Sequence, residues 1–175
     1  ASTRELAFQT ILKNRVYHGG ILAPGSSPIK YGENGKGIRS RWYPQTLRRR
    51  ILALIPLREL VTFIHGDGLE ILSQDPQAAD HAYFIDPPYT AGSKRAGARL
   101  YTHHTLDHER LFQIAATLRG PWLMTYDHDS AIIALAEKYG FAAQPIAMKN
   151  THHARMTELL VSRDFEWTGK AHQVI

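Results

Sequence analysis

Apolar positions in this 175-residue chain change period several times, and each change marks an element. Leu6, Phe8, Ile11 and Leu12 fall roughly on one side of a helix ending near Arg15. Ser2-Thr-Arg-Glu5 marks its start as a capping box, in which the Ser2 hydroxyl takes one free N–H and Glu5 reaches back to another. Over residues 17–43 no period is usable. Six glycines (19, 20, 25, 32, 35 and 37) with Pro24 and Pro28 make this an irregular segment, and long segments of that kind are usually functional or mobile. Pro44 suits a first helical position, and Leu47, Ile51 and Leu54 follow at helical spacing until Pro56.

Beyond Pro56 the chain alternates. LVTFI (60–64) predicts a buried strand, followed by His65-Gly-Asp-Gly68 and a short helix around Leu69 to Leu72. AYFI (82–85) predicts a second strand that runs into Asp86-Pro-Pro-Tyr89. A loop with Lys94, Arg95 and Arg99 leads to a helix over about 106–118. WLMT (122–125) predicts a third strand, ending in Tyr126 and Asp127. Asp129 or Ser130 then caps a helix to Tyr139, with Gly140 at its C-cap. The last two strands, near 142–148 and 158–162, have no helix between them, so an antiparallel pair at one edge is expected. Strands apolar on both faces that alternate with helices predict an α/β fold with a mostly parallel sheet between helices, as a single domain over 1–175.

Composition narrows the class. Hydrophobic residues are 43% and charged residues 21% of the chain, as in ordinary globular domains. With no Cys, disulfides, thiolate metal sites and cysteine nucleophiles are excluded, which suits a reducing cytosol. The longest apolar run, 51–57, is far short of the roughly 20 residues a membrane span needs and contains Pro56. The N-terminal ASTRELAFQT lacks a basic region followed by an apolar core, so no signal peptide is expected in it. It has no initiator Met and opens directly on helix-forming sequence, so the chain is expected to be a piece of a longer protein. Lys and Arg exceed Asp and Glu by 21 to 16, with a pI of about 9.6, which favours a polyanionic partner or reflects a solvated basic surface.

Candidate chemistry gathers where strands end, because open α/β sheets bind ligands at the carboxyl ends of their strands. Asp67, the run 86–89, and Tyr126 with Asp127 are expected to share one rim. For Asp67 or Asp127 alone, a helix cap or turn explains the residue equally well. Asp-Pro-Pro-Tyr is more specific. Two prolines remove two backbone N–H groups and restrict the torsions, which leaves carbonyl acceptors in fixed directions. Beside them stand a carboxylate and a flat aromatic face. An exocyclic amino group on a planar base has two N–H donors and a ring to stack, and so matches such a cluster.

FIDPPY (84–89) resembles motif IV of amino-methyltransferases that use S-adenosylmethionine. The ordered set DPPYTAGSKRAGARLYTHHTLDHERL, GPWLMTYD and TELLVSRDF is similar to the D12 class of adenine-N6 DNA methyltransferases, Dam-like and of phage type. Upstream, LKNRVYHGGILAPGS, RSRWYPQTLRRRI and HGDGLEIL resemble the same family, so the likeness covers nearly the whole chain. It implies a Rossmann-like class I methyltransferase sheet with a C-terminal antiparallel hairpin, S-adenosylmethionine as cofactor and double-stranded DNA as partner. It further implies a cytoplasmic setting in a bacterial or phage-infected cell. By the same resemblance Asp86 and the Pro87 carbonyl, with Pro88 beside them, accept hydrogen bonds from the target amino group. Tyr89 stacks on the extruded base. Asp67 and Phe84 contact the cofactor, and Arg39, Arg41, Lys94, Arg95 and Arg99 contact DNA phosphates. Segment 17–43 would face DNA and read its sequence.

Some basic residues and histidines stay ambiguous. Arg48, Arg49 and Arg50 cannot all face one partner, and a solvated helix face accounts for them equally. His103, His104 and His108, like His152 and His153, invite a metal reading, but no further ligand is evident and no metal is expected. The family's glycine-rich cofactor loop is absent: Gly35-Lys-Gly37 lies in the irregular segment, and Gly66-Asp-Gly68 follows the wrong strand. The sheet is therefore expected to be incomplete at its N-terminal side, with apolar edges bare or the 60–64 and 82–85 strands paired directly. Binding of S-adenosylmethionine is expected to be weak or absent. The alternatives are a catalytically inactive DNA-binding remnant and an amino-methyltransferase acting on RNA or on a protein amide.

Overall fold

A computed structural model describes residues 1–23, 25–32, 35–88, 105–149 and 155–166. The chain divides into two compact units, one formed by residues 1–65 and the other by the described residues from Gly66 onward.

In the first unit α1 (Thr3–Val16) begins with the capping box expected from its sequence. The Ser2 N–H donates to Glu5 Oε2 at 2.7 Å, and the Glu5 N–H donates back to Ser2 Oγ at 3.3 Å. The irregular segment is locally ordered by short-range bonds. It holds 3-10 turns at His18–Gly20 and Gly37–Ser40 and an isolated bridge between Tyr17 and Pro28. Gly32 is required there: its φ is 62°, and a β-carbon would collide with the Gly37 carbonyl. Helix α2 (Pro44–Leu54) starts at Pro44 and passes directly into a 3-10 turn, Ile55–Leu60. Neither α1 nor α2 has a buried residue.

The strand predicted over 60–64 does not form. Leu60 ends the 3-10 turn, Val61 is extended, and residues 61–65 have no ladder partner among the described residues. Leu60 is 81% and Phe63 88% exposed. The run has strand composition, but a strand exists only where another strand supplies its hydrogen bonds.

The second unit contains α3 (Gly68–Gln74), β1 (Tyr83–Ile85), α4 (His108–Thr117), β2 (Trp122–Asp127), α5 (Ser130–Tyr139), β3 (Ala142–Lys149) and β4 (Arg155–Ser162). It is α/β, with the four-stranded order β1-β2-β4-β3. Strands β1 and β2 run parallel, with Tyr83 opposite Trp122 and Ile85 opposite Met124. The C-terminal hairpin is antiparallel as expected, and β4 lies between β2 and β3. The expectation of a mostly parallel sheet is corrected: among the described residues one pairing is parallel and two are antiparallel. The 60–64 run, which was expected to add a parallel strand, contributes none.

Strand β2 has the period of two that places it. Trp122, Met124 and Tyr126 are buried, while Leu123, Thr125 and Asp127 point the other way. The buried set packs with Leu69 of α3, with Leu111, Phe112 and Ala115 of α4, with Ile132 and Ala136 of α5, and with Leu159 and Val161 of β4. Phe112 is fully buried and its ring meets those of Tyr126, Tyr139 and Phe141. Local signals set the helix ends. Asp107 and Asp129 accept from the N–H groups of Arg110 and Ala131, and Gly140 closes α5 at φ 69° with its N–H on the carbonyls of Ala136 and Glu137. No helix of the described residues is long and apolar enough to cross a membrane.

Candidate active site at the end of the parallel strand pair

The parallel register fixes the centre of the site. Ile85 lies opposite Met124, so the next pair outward is Asp86 beside Thr125, and their side chains fall on the same face. Thr125 Oγ1 donates to Asp86 Oδ1 at 2.7 Å. Asp127 follows Thr125 on that face and stands opposite Glu158 of β4. Three carboxylates thus belong to one end of the sheet, with Asp86 itself exposed. Pro87 is buried and Pro88 half-buried, which anchors the strand terminus and keeps the backbone after Asp86 free of N–H donors over two residues. Such a rim attracts hydrogen-bond donors carrying positive or partial positive charge and repels phosphate. Tyr89, the remaining residue of the run, lies outside the described residues, as do Lys94, Arg95 and Arg99.

Tyr126 does not share the rim. Alternation along β2 turns its side chain into the core, where it is buried and its hydroxyl lies 3.0 Å from His108 Nδ1. His108 stands in the first turn of α4 and is half-buried. Loss of solvent holds its pKa below the ordinary imidazole value, with Asp107 and Asp129 partly opposing the shift. His108 is therefore tied to a core phenol. His103, His104, His152 and His153 fall outside the described residues, and among those described no group of three or more His, Asp or Glu is placed to hold a metal.

Asp67 is the N-cap of α3: its carboxylate accepts from the Leu69 N–H at 2.8 Å. With 60–64 unpaired among the described residues, Asp67 follows no strand and acts as a helix cap. Phe84 is on β1, two residues before Asp86 and on its face, and is 70% exposed. These two residues, assigned to S-adenosylmethionine by resemblance, are both open to solvent.

In the first unit, Arg39 is exposed. Arg41 is half-buried, and its guanidinium donates to the carbonyls of Tyr17 and Asn14 at 2.7 and 3.3 Å, at the C-terminal end of α1. Arg15 Nε in turn donates to the Arg41 carbonyl at 2.7 Å. Arg48, Arg49 and Arg50 of α2 are all exposed. Residues 1–65 carry eleven Lys and Arg against three Asp and Glu, a net charge of +8, whereas residues 66–175 carry ten against thirteen, a net charge of −3.

Thr125 escaped sequence reasoning because a threonine inside an apolar run reads as a strand former. The signal lay in the alternation of 122–127, which puts Thr125 on the outward face beside the end of the preceding parallel strand. No protein-family model matches the chain, and no curated protein matches it.

Proposed function

We propose that this chain carries the base-acceptor site of a DNA adenine-N6 methyltransferase, which moves a methyl group from S-adenosylmethionine to an adenine rotated out of duplex DNA. The observation that carries the reading is Asp86, a carboxylate at the carboxyl end of a parallel strand, bonded to Thr125 and followed by two prolines. The adenine amino group has two N–H donors. Asp86 accepts one and the Pro87 carbonyl accepts the other. An amino nitrogen conjugated to a purine is a poor nucleophile, and hydrogen bonds to its protons favour pyramidalisation, which returns lone-pair density to nitrogen. Rotation of the base out of the stack costs a few kcal/mol, offset by stacking on Tyr89 and by phosphate contacts. The acidic rim suits an amino group and disfavours a phosphate, while the +8 charge of residues 1–65, Arg39 included, suits the DNA backbone. The α/β unit is read as part of a Rossmann-like class I methyltransferase sheet, supported by its parallel pair and reversed C-terminal hairpin.

A second reading, a DNA-binding remnant without a working cofactor site, is favoured by one observation: the apolar run 61–64 is exposed and has no strand partner among the described residues. Incubation with methyl-labelled S-adenosylmethionine and duplex DNA separates the two. Label on adenine N6 that disappears in Asp86→Ala supports the transferase. Salt-sensitive DNA binding without label supports the remnant, and label on RNA alone moves the activity to another substrate. Neither binding nor label contradicts both readings.

A further inference from the structure

We infer that Thr125 is a positioning residue for Asp86: its hydroxyl sets the direction in which the carboxylate accepts a hydrogen bond. The inference rests on the reading of Asp86 as an amino-group acceptor and adds a residue that the resemblance does not assign. Asp86 is the first residue past β1, where the ladder no longer fixes the chain. Its side chain is exposed, and the terminal torsion of a carboxylate is broad and roughly two-fold, so a fixed donor on one oxygen bears on its direction. Thr125, by contrast, sits within β2, paired with Leu160 of β4 and flanked by the buried Met124 and Tyr126. As a β-branched residue it is stiff at χ1. Its hydroxyl is therefore held by the rigid centre of the sheet, and the 2.7 Å bond to Asp86 Oδ1 passes that rigidity to the carboxylate. A planar base presents its N–H donors in fixed directions, so an acceptor already turned toward them binds without losing rotamer freedom on contact.

The test compares two fluorescent single-stranded oligonucleotides by anisotropy: oligo-deoxyadenosine, and a matched oligomer of purine deoxyribonucleoside, which lacks the amino group. Single strands avoid both base rotation and the unknown recognition sequence. Wild type is expected to prefer the adenine oligomer by about tenfold, the scale of one good hydrogen bond. Thr125→Val, near in shape but without the hydroxyl, is expected to lose most of that preference, and Thr125→Ser to restore it. All three should give similar affinity for the purine oligomer and similar thermal unfolding, an outcome that a purely structural role for Thr125 does not produce. Preference retained in Thr125→Val overturns the inference and leaves the Asp86 reading standing. Loss in Thr125→Val that Thr125→Ser does not restore also overturns it. No preference in wild type overturns the Asp86 reading and the inference together.

Discussion

The guanidinium of Arg41 satisfies carbonyls at the end of α1, whereas that of Arg39, two residues earlier, faces solvent. A shared basic character in sequence therefore separates into two roles. Arg39→Ala is expected to lower the salt-dependence slope of duplex DNA binding by about one, as removal of a phosphate contact does. Arg41→Ala is expected instead to leave carbonyls without their charged donor and to lower stability by about 1–3 kcal/mol in urea unfolding. His108 gives a second contrast at this scale. Burial beside Tyr126 holds its folded-state pKa below the ordinary value of 6.5, so the folded protein takes up a proton less readily than the unfolded chain. The stability due to neutral His108 is fully present above pH 6.5 and is lost as pH falls through the lowered folded-state value. Chemical denaturation at a series of pH values should show stability falling over that window, and His108→Gln should flatten the fall. Neither arrangement was visible in the sequence, because each depends on segments far apart in the chain. Arg41 reaches Tyr17 only through the reversal of residues 17–43, and Tyr126 meets His108 only once α4 packs on β2.

Elements whose signals are local were legible. The capping box at Ser2, Pro44 at a helix start, Asp129 at an N-cap and Gly140 at a C-cap all act within one turn, so the residues that announce them also make them. Asp129→Ala is accordingly expected to cost about 1 kcal/mol by removing the acceptor for the Ala131 N–H, measured as a shift of the urea midpoint at constant slope. Strand formation is not local in this sense. AYFI and LVTFI look alike, yet 83–85 pairs with β2 while 61–64 pairs with nothing among the described residues. The same limit applied to the candidate site. Asp86 and its prolines could be singled out because two consecutive prolines after an apolar run are unusual in themselves. Thr125 acquires meaning only from the parallel register that brings it beside Asp86.

Across the whole molecule, charge and burial are distributed unevenly. Residues 1–65 hold a net +8 and most of the large exposed apolar side chains, whereas the second unit holds the buried aromatic core and the acidic rim. A basic surface suits a polyanion, and an acidic rim beside a proline pair suits the amino group of a base; the DNA adenine reading requires both chemistries. The central claim is that the rim at Asp86 receives the amino group of adenine. It is tested most directly by measuring the affinity of wild type and Asp86→Ala for the adenine and purine oligomers. The account predicts a preference of about tenfold for adenine in wild type and equal affinities in Asp86→Ala; equal affinities in wild type would contradict it.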